Sequence, residues 1–277
     1  MSAIRSRIVV ISWWSNCLGL SCLHRLAAHT RSRSVGVVQV GKSPGQRERF
    51  REHMPPRVAE LPYPAAAPAE HSRVLADVAL RQLRAERGVW FVEHDVFLHA
   101  DWEPWLTAAD KYFSTSEACL CLPRLPAHIP AITQPAFWVS PARWPASLSS
   151  FDPIPFEARE ESRRPDLLRC AGDLRMPKKD TLVQARDELV RGGHVVYFPL
   201  DADAAPGCTL PPFPAHTHVG GLYLFTGPRL SAAFDAWTQK TVARFADYYA
   251  HCSPEWLAAE DPELLRRVRE FQGAVCA

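Results

Sequence analysis

The chain has no run of about 18 consecutive apolar residues, the length a membrane-crossing helix needs, so no span is expected. It also lacks a marked charge of either sign. Over 277 residues, 32 Lys and Arg stand against 30 Asp and Glu, a formal net charge of +2, and the basic residues are spread along the chain. That distribution gives no footprint for nucleic acid as the main partner. Zinc and redox frameworks are absent as well, because Cys17, Cys22, Cys119, Cys121, Cys170, Cys208, Cys252 and Cys276 form no CxxC pair. A chain long enough to bury a sizeable core does not need disulfide staples, so reduced thiols and a cytoplasmic location are the expectation. There is no HExxH helix and no internal repeat. Arg5 and Arg7 precede Ile8-Val9-Val10-Ile11, but Ser12, Ser15 and Asn16 interrupt the apolar run. The segment therefore reads as a first strand and not as a signal peptide.

What is present is organised around Gly88-Val89-Trp90-Phe91-Val92-Glu93-His94-Asp95-Val96-Phe97-Leu98. Its β-branched and aromatic run after a glycine predicts a strand buried on both faces of a mainly parallel sheet. Alternation predicts that Glu93 and Asp95 point to one side at the carboxyl end, the edge where open α/β sheets bind ligands. Two adjacent carboxylates repel each other and resist dehydration, so a cation or basic partner is expected beside them. A divalent ion carrying a diphosphate suits both charges.

Around this stretch the pattern alternates strand and helix. A strand over 7–12, a helix capped by Ser15 or Asn16 and running to about His29, and a strand over 35–40 make a βαβ unit. Its first loop, holding Trp13 and Trp14, falls at the ligand edge. Their indoles either stack on a nucleobase or close the core over the sheet. The string Gly36-Val37-Val38-Gln39-Val40-Gly41-Lys42-Ser43 matches a phosphate-loop pattern literally. Positions 37–40 alternate as a strand, however, which leaves only Lys42 as a candidate phosphate contact. The proline-rich residues 54–68 read as a surface loop, and a helix is predicted from Glu70 to about Glu86. Beyond Asp95, a turn and short helix, strands at 118–122 and 136–140, and a polar, proline-broken stretch over 151–178 follow. A helix opening at Asp180, with Asp180 as a plausible N-cap, is ended by Gly192-Gly193 and leads to a strand at 194–199. His216 and His218 alternate to one side of the next segment, and imidazole joins carboxylates on manganese-like ions. From Pro228 onward two helices are predicted whose aromatic and leucine stripes are packing surface.

An apolar strand running into Glu93-His94-Asp95 resembles the DxD-type motif of nucleotide-sugar-dependent glycosyltransferases of the GT-A fold, and His218-Val219-Gly220-Gly221 is similar to the C-terminal histidine element of the metal-dependent members. The first acid is Glu where that motif usually has Asp. The resemblance implies a GT-A-like, Rossmann-like α/β domain over 1–227, its mainly parallel sheet flanked by helices, with a helical extension over 228–277 packed on it. It implies Mn2+ or Mg2+ held by Asp95 and Glu93 with His218 and His216. Ser12, Trp13, Trp14, Lys42 and His94 fall on the side of the nucleotide-sugar donor, while Trp138, Ser140 and Arg143 fall where the family carries acceptor-facing groups. Asp95, Glu93 and Asp180 are the candidate catalytic residues, with Asp180 a base toward the acceptor or only a helix cap. The acceptor is not specified. A homodimer seam along the C-terminal helices is a further expectation.

Two other readings remain open. One is a divalent-metal hydrolase using the Glu93/Asp95/His216/His218 cluster, with His94 and His99 nearby in sequence. The other is a nucleotide-binding module that turns nothing over.

Overall fold

The computed structural model describes residues 5–13, 15–64, 71–124, 135–148, 151, 182–199 and 210–218. Strand β1 (Arg7–Ser12) enters the core directly, and helix α1 (Asn16–His29) follows with the Ser15 side chain accepting from the Leu18 amide as its cap. Strand β2 (Val35–Gln39) completes the βαβ unit, with β1 and β2 parallel from Ile8↔Val35 to Ser12↔Gln39. Gly19 lets α1 approach closely, because a side chain there would overlap the Ser12 hydroxyl and meet the Phe50 ring.

The next helix was not foreseen. Helix α2 (Pro44–His53) starts from a reciprocal capping box, in which Ser43 accepts from the Gln46 amide and Gln46 accepts from the Ser43 amide. Strand β3 (Val58–Glu60) corrects the surface-loop reading of 54–68, since this three-residue segment extends the sheet parallel to β2 despite its proline-rich surroundings. Helix α3 (His71–Ala76) continues as wider π-type turns over Asp77–Gln82.

Strand β4 (Val89–Glu93) lies next to β1, Ile11 in register with Glu93. The organising stretch then breaks: His94 and Asp95 form a turn, and β5 (Val96–Leu98) leaves the main sheet for a second one. Helix α4 (Glu103–Thr115), β6 (Leu120–Arg124), β7 (Ala136–Val139), α5 (Val183–Arg191), β8 (Val195–Pro199) and β9 (His216–His218) follow.

The main sheet has seven strands in the order β3-β2-β1-β4-β7-β6-β8. Every strand runs the same way except β7, which is antiparallel to both β4 and β6. The expected α/β architecture, a mainly parallel sheet between helices, is therefore present. Alternation divides its core in two. Val9, Ile11, Trp13 and Phe91 pack with Val74 and Leu75 of α3 and Val78 of the π-type turns after it, whereas Ile8, Val10 and Trp90 pack with Leu20, Cys22 and Leu26 of α1 and Leu106 of α4. Trp90 is surrounded by Trp102, Trp105, Phe113 and Phe198. No helix among the described residues is long and apolar enough to cross a membrane. The extension over 228–277, and with it the expected homodimer seam, lies outside the described residues.

The strand order sets the location of the site. From β1 the chain winds outward to β2 and β3, then returns across β1 to β4. The carboxyl ends of β1 and β4 thus flank the switch point, the edge at which such sheets accept ligands.

Candidate functional site at the carboxyl edge of the sheet

Glu93 is the last residue of β4 and faces α3, its Oε1 lying 3.6 Å from His71 Nε2. Asp95, beyond the turn, approaches β9 instead: its Oδ1 lies 3.3 Å from His218 Nε2. The expectation that both acids point to one side is corrected here. Alternation holds only along a strand, and β4 ends at Glu93, so the turn re-aims Asp95. Each carboxylate is matched with a different histidine.

The second sheet makes the Asp95–His218 approach possible. Antiparallel β5 and β9 place Val96 opposite His218 and Leu98 opposite His216, so His218 arrives beside the residue that precedes β5. His216 sits two residues further along. Its Nδ1 lies 2.8 Å from the Pro214 carbonyl and its ring stands edge-on to Phe213. The fourfold set of Asp95, Glu93, His218 and His216 is not assembled, and among the described residues no group of three or more His, Cys, Asp or Glu side chains is placed to hold an ion. The hydrolase reading loses its cluster in the same way, with His99 Nε2 bonded to Thr217 Oγ1 at 2.6 Å.

The residues expected to face a donor are mostly internal. Trp13 is 6% exposed, packs into the core on the α3 side of the sheet and meets His71 edge-on, so it presents little surface to a nucleobase. Ser12 is buried, its hydroxyl against α1 and without a hydrogen-bond partner among the described residues. Lys42 is also buried. It donates to the Trp13 carbonyl at 3.0 Å and to Asn16 Oδ1 at 2.9 Å, and stands 4.9 Å from the centre of the Phe50 ring. It tethers the β1–α1 loop and is not presented to a phosphate. Trp14 and Asp180 lie outside the described residues, as do Val219, Gly220 and Gly221.

Trp138, Ser140 and Arg143 are corrected outright. Because β7 runs against β4, Val139 pairs with Val89 and the chain leaves β7 at the opposite end of the sheet from Glu93. Trp138 and Ser140 are fully buried, and Arg143 donates to the Phe113 and Ser116 carbonyls. None of the three reaches the site.

His94, between the two acids in sequence, is buried, with Nδ1 unpartnered among the described residues. Burial, opposed by Asp95 and reinforced by Lys42, His71 and His218, pushes its pKa from 6.5 down to about 4. Unfolded, this residue binds a proton on acidification through 6.5; folded, it does so only near 4. Stability in metal-free protein is therefore expected to fall as pH drops through that window, by about 3 kcal/mol from this residue. Urea denaturation at stepped pH in the presence of a chelator measures the slope, and His94→Gln should flatten it. A slope that His94→Gln leaves intact would place the acid sensitivity elsewhere. Beneath the turn, burial and the Asp95 charge push the Cys22 thiol up, so it is un-ionised at neutral pH.

Sequence reasoning missed His71. It carries no motif, and only the packing of α3 on β1 and β4 brings it to Glu93.

No family model and no curated protein matches the chain. Solved structures similar in backbone include a candidate nucleotide-diphospho-sugar transferase from Desulfovibrio desulfuricans at 11% identity, covering 96% of this chain and 98% of that one with a TM-score of 0.47. A mannosyltransferase from Pyrobaculum calidifontis, in complex with GDP-Man and Mn2+, has 14% identity, coverage of 98% and 75%, and a TM-score of 0.45. The galactosyltransferase LgtC, in complex with donor and acceptor sugar analogues, has 13% identity, coverage of 91% and 99%, and a TM-score of 0.44. The chain spans less than half of two others, 39% of the bifunctional glycosyltransferase WbbM and 45% of the glycosyltransferase GlyE. At these identities the likeness is one of backbone course alone.

Proposed function

We propose that the chain is a metal-dependent glycosyltransferase, moving a sugar from a nucleoside-diphosphate donor to an acceptor, with residues 1–227 as the catalytic domain and 228–277 as its helical extension. The reading is carried by the approach of Asp95 Oδ1 to His218 Nε2, 3.3 Å, beside the switch point of the sheet. Two donors in neighbouring positions of an octahedral ion are about 3 Å apart, so this spacing fits a shared Mn2+ or Mg2+. Two protein ligands are also the number such an ion takes when substrate phosphates and waters complete its shell. When bound, the ion supplies positive charge against the diphosphate as the sugar bond breaks.

The chain's own residues do the rest. The β4–β5 turn holds Asp95 in a largely dry position where its charge is weakly screened, and β9 delivers His218 from the far end of the chain. Glu93, beside His71, would accept from hydroxyl groups of the donor. His94 stays neutral at pH 7 and adds no charge of its own.

A thermal-shift series with UDP or GDP, with and without Mn2+, tests the reading. Stabilisation is expected only when nucleotide and metal are both present. His218→Ala should weaken metal-supported nucleotide binding by about 10-fold or more, the loss typical for groups that hold or orient a catalytic ion. Unchanged calorimetric affinity in His218→Ala would return that histidine to a structural role. Metal binding with no response to any nucleoside diphosphate would favour the hydrolase, and a donor bound but never consumed would favour the binding module.

A further inference from the structure

His71 is the first residue of α3, and its imidazole joins the two strand ends that flank the switch point. On one side its ring meets the Trp13 indole edge-on, with centroids 5.6 Å apart and planes at 61°. On the other, Nε2 lies 3.6 Å from Glu93 Oε1. Both partners of that contact keep part of their surface open, with side chains 30% and 18% exposed, so they reach the surface at this edge of the sheet and are not sealed in the core. A polar contact this exposed adds little to stability, whichever charge the imidazole carries. What it does is draw the Glu93 carboxylate toward α3, beside an imidazole that itself packs on the Trp13 ring.

We propose that His71 is a positioning residue of the donor site, fixing the Glu93 carboxylate for the hydroxyl-bearing part of a nucleoside-diphosphate ligand. The inference rests on the donor reading of this edge and assigns Glu93 a role apart from the metal pair. Through Glu93, His71 acts on ligand affinity without touching the reacting atoms.

Calorimetric titration of UDP and GDP in the presence of Mn2+ tests it on the wild type, His71→Ala, His71→Gln, Glu93→Gln and the His71→Ala/Glu93→Gln double variant. His71→Ala should weaken binding about tenfold, the factor for one lost charge-assisted contact. His71→Gln, whose amide nitrogen reaches nearly as far as Nε2, should recover most of that loss. In the Glu93→Gln background, His71→Ala should have no further effect, because the residue it acts through has already been altered. Melting temperatures should stay within about 2 °C of the wild type, as for a partly exposed position. Wild-type binding with unaltered affinity in His71→Ala overturns this inference alone, as do additive losses in the double variant or a His71→Gln no better than His71→Ala. Failure of the wild type to bind either nucleotide overturns the donor reading and this inference together.

Discussion

Asp95→Asn is expected to lower glycosyl transfer by about a thousandfold or more while leaving the fold intact, since it removes the carboxylate that would hold the ion against the leaving group. Asparagine keeps the size of the side chain and one acceptor oxygen, so the turn between β4 and β5 has no reason to collapse. What it loses is the negative charge opposite His218, and a neutral amide is a poor ligand for a hard divalent ion. Asp95 is 6% exposed, so its charge acts through a medium that screens it weakly, and the effect on metal affinity should exceed that of an exposed carboxylate. The checks are steady-state transfer, calorimetric affinity for nucleotide with Mn2+, and a melting curve. An Asp95→Asn protein with wild-type turnover would take Asp95 out of the metal site. Glu93→Gln, whose partner is His71, should weaken nucleotide binding while largely sparing affinity for the metal alone.

Asp110→Ala should produce the largest loss of stability, about 3–5 kcal/mol, the range for breaking one side of a buried ion pair. Asp110, on α4, is 2% exposed and is bonded to Ser6 and Arg33. Its Oδ2 accepts from the Ser6 amide at 3.0 Å, its Oδ1 accepts from the Ser6 hydroxyl at 2.5 Å, and Arg33 pairs with it through Nη1. The Ser6 hydroxyl in turn accepts from Trp138 Nε1 at 2.9 Å, which links α4 to β7. Alanine would leave Ser6 with unpaired donors and Arg33 buried with Glu103 as its remaining carboxylate, 3.2 Å from Nε. Urea unfolding monitored by fluorescence reads the change. A loss below about 1 kcal/mol would mean that water or a shift of Arg33 replaces the network. Because this cluster lies at the amino-terminal end of the sheet, whatever protein remains folded should bind nucleotide with nearly unchanged affinity. That separates it from Asp95.

Much of the fold was legible because local physics and tertiary packing agree. The apolar runs at 7–12 and 89–93 and the helical stripe over 16–29 each have a single low-energy reading, while the cap, open between Ser15 and Asn16 in the sequence, falls to Ser15. Where local cues were short or ambiguous, the reading failed. Strand β3 is three residues among prolines and is held only by its pairing with β2. The Ser43–Gln46 capping box is a local signal, but Phe50 is the one buried residue of α2, so no apolar stripe marks the helix that follows it. Strand β7 was placed correctly along the chain, yet nothing local tells a strand its direction. That direction removed Trp138, Ser140 and Arg143 from the site.

The sequence by itself determined the chemistry available: an apolar strand that ends in two acids, and late histidines of the kind that bind ions with carboxylates. Those properties belong to residue type and spacing, and they survive any arrangement of the rest. Only the tertiary structure decided which histidine serves which acid. Alternation stops with the strand, so the turn at His94 sends Asp95 toward β9 and leaves Glu93 facing α3. Antiparallel pairing of β5 with β9 then selects His218 over His216, because contacts between residues so far apart in sequence are set by register and not by pattern.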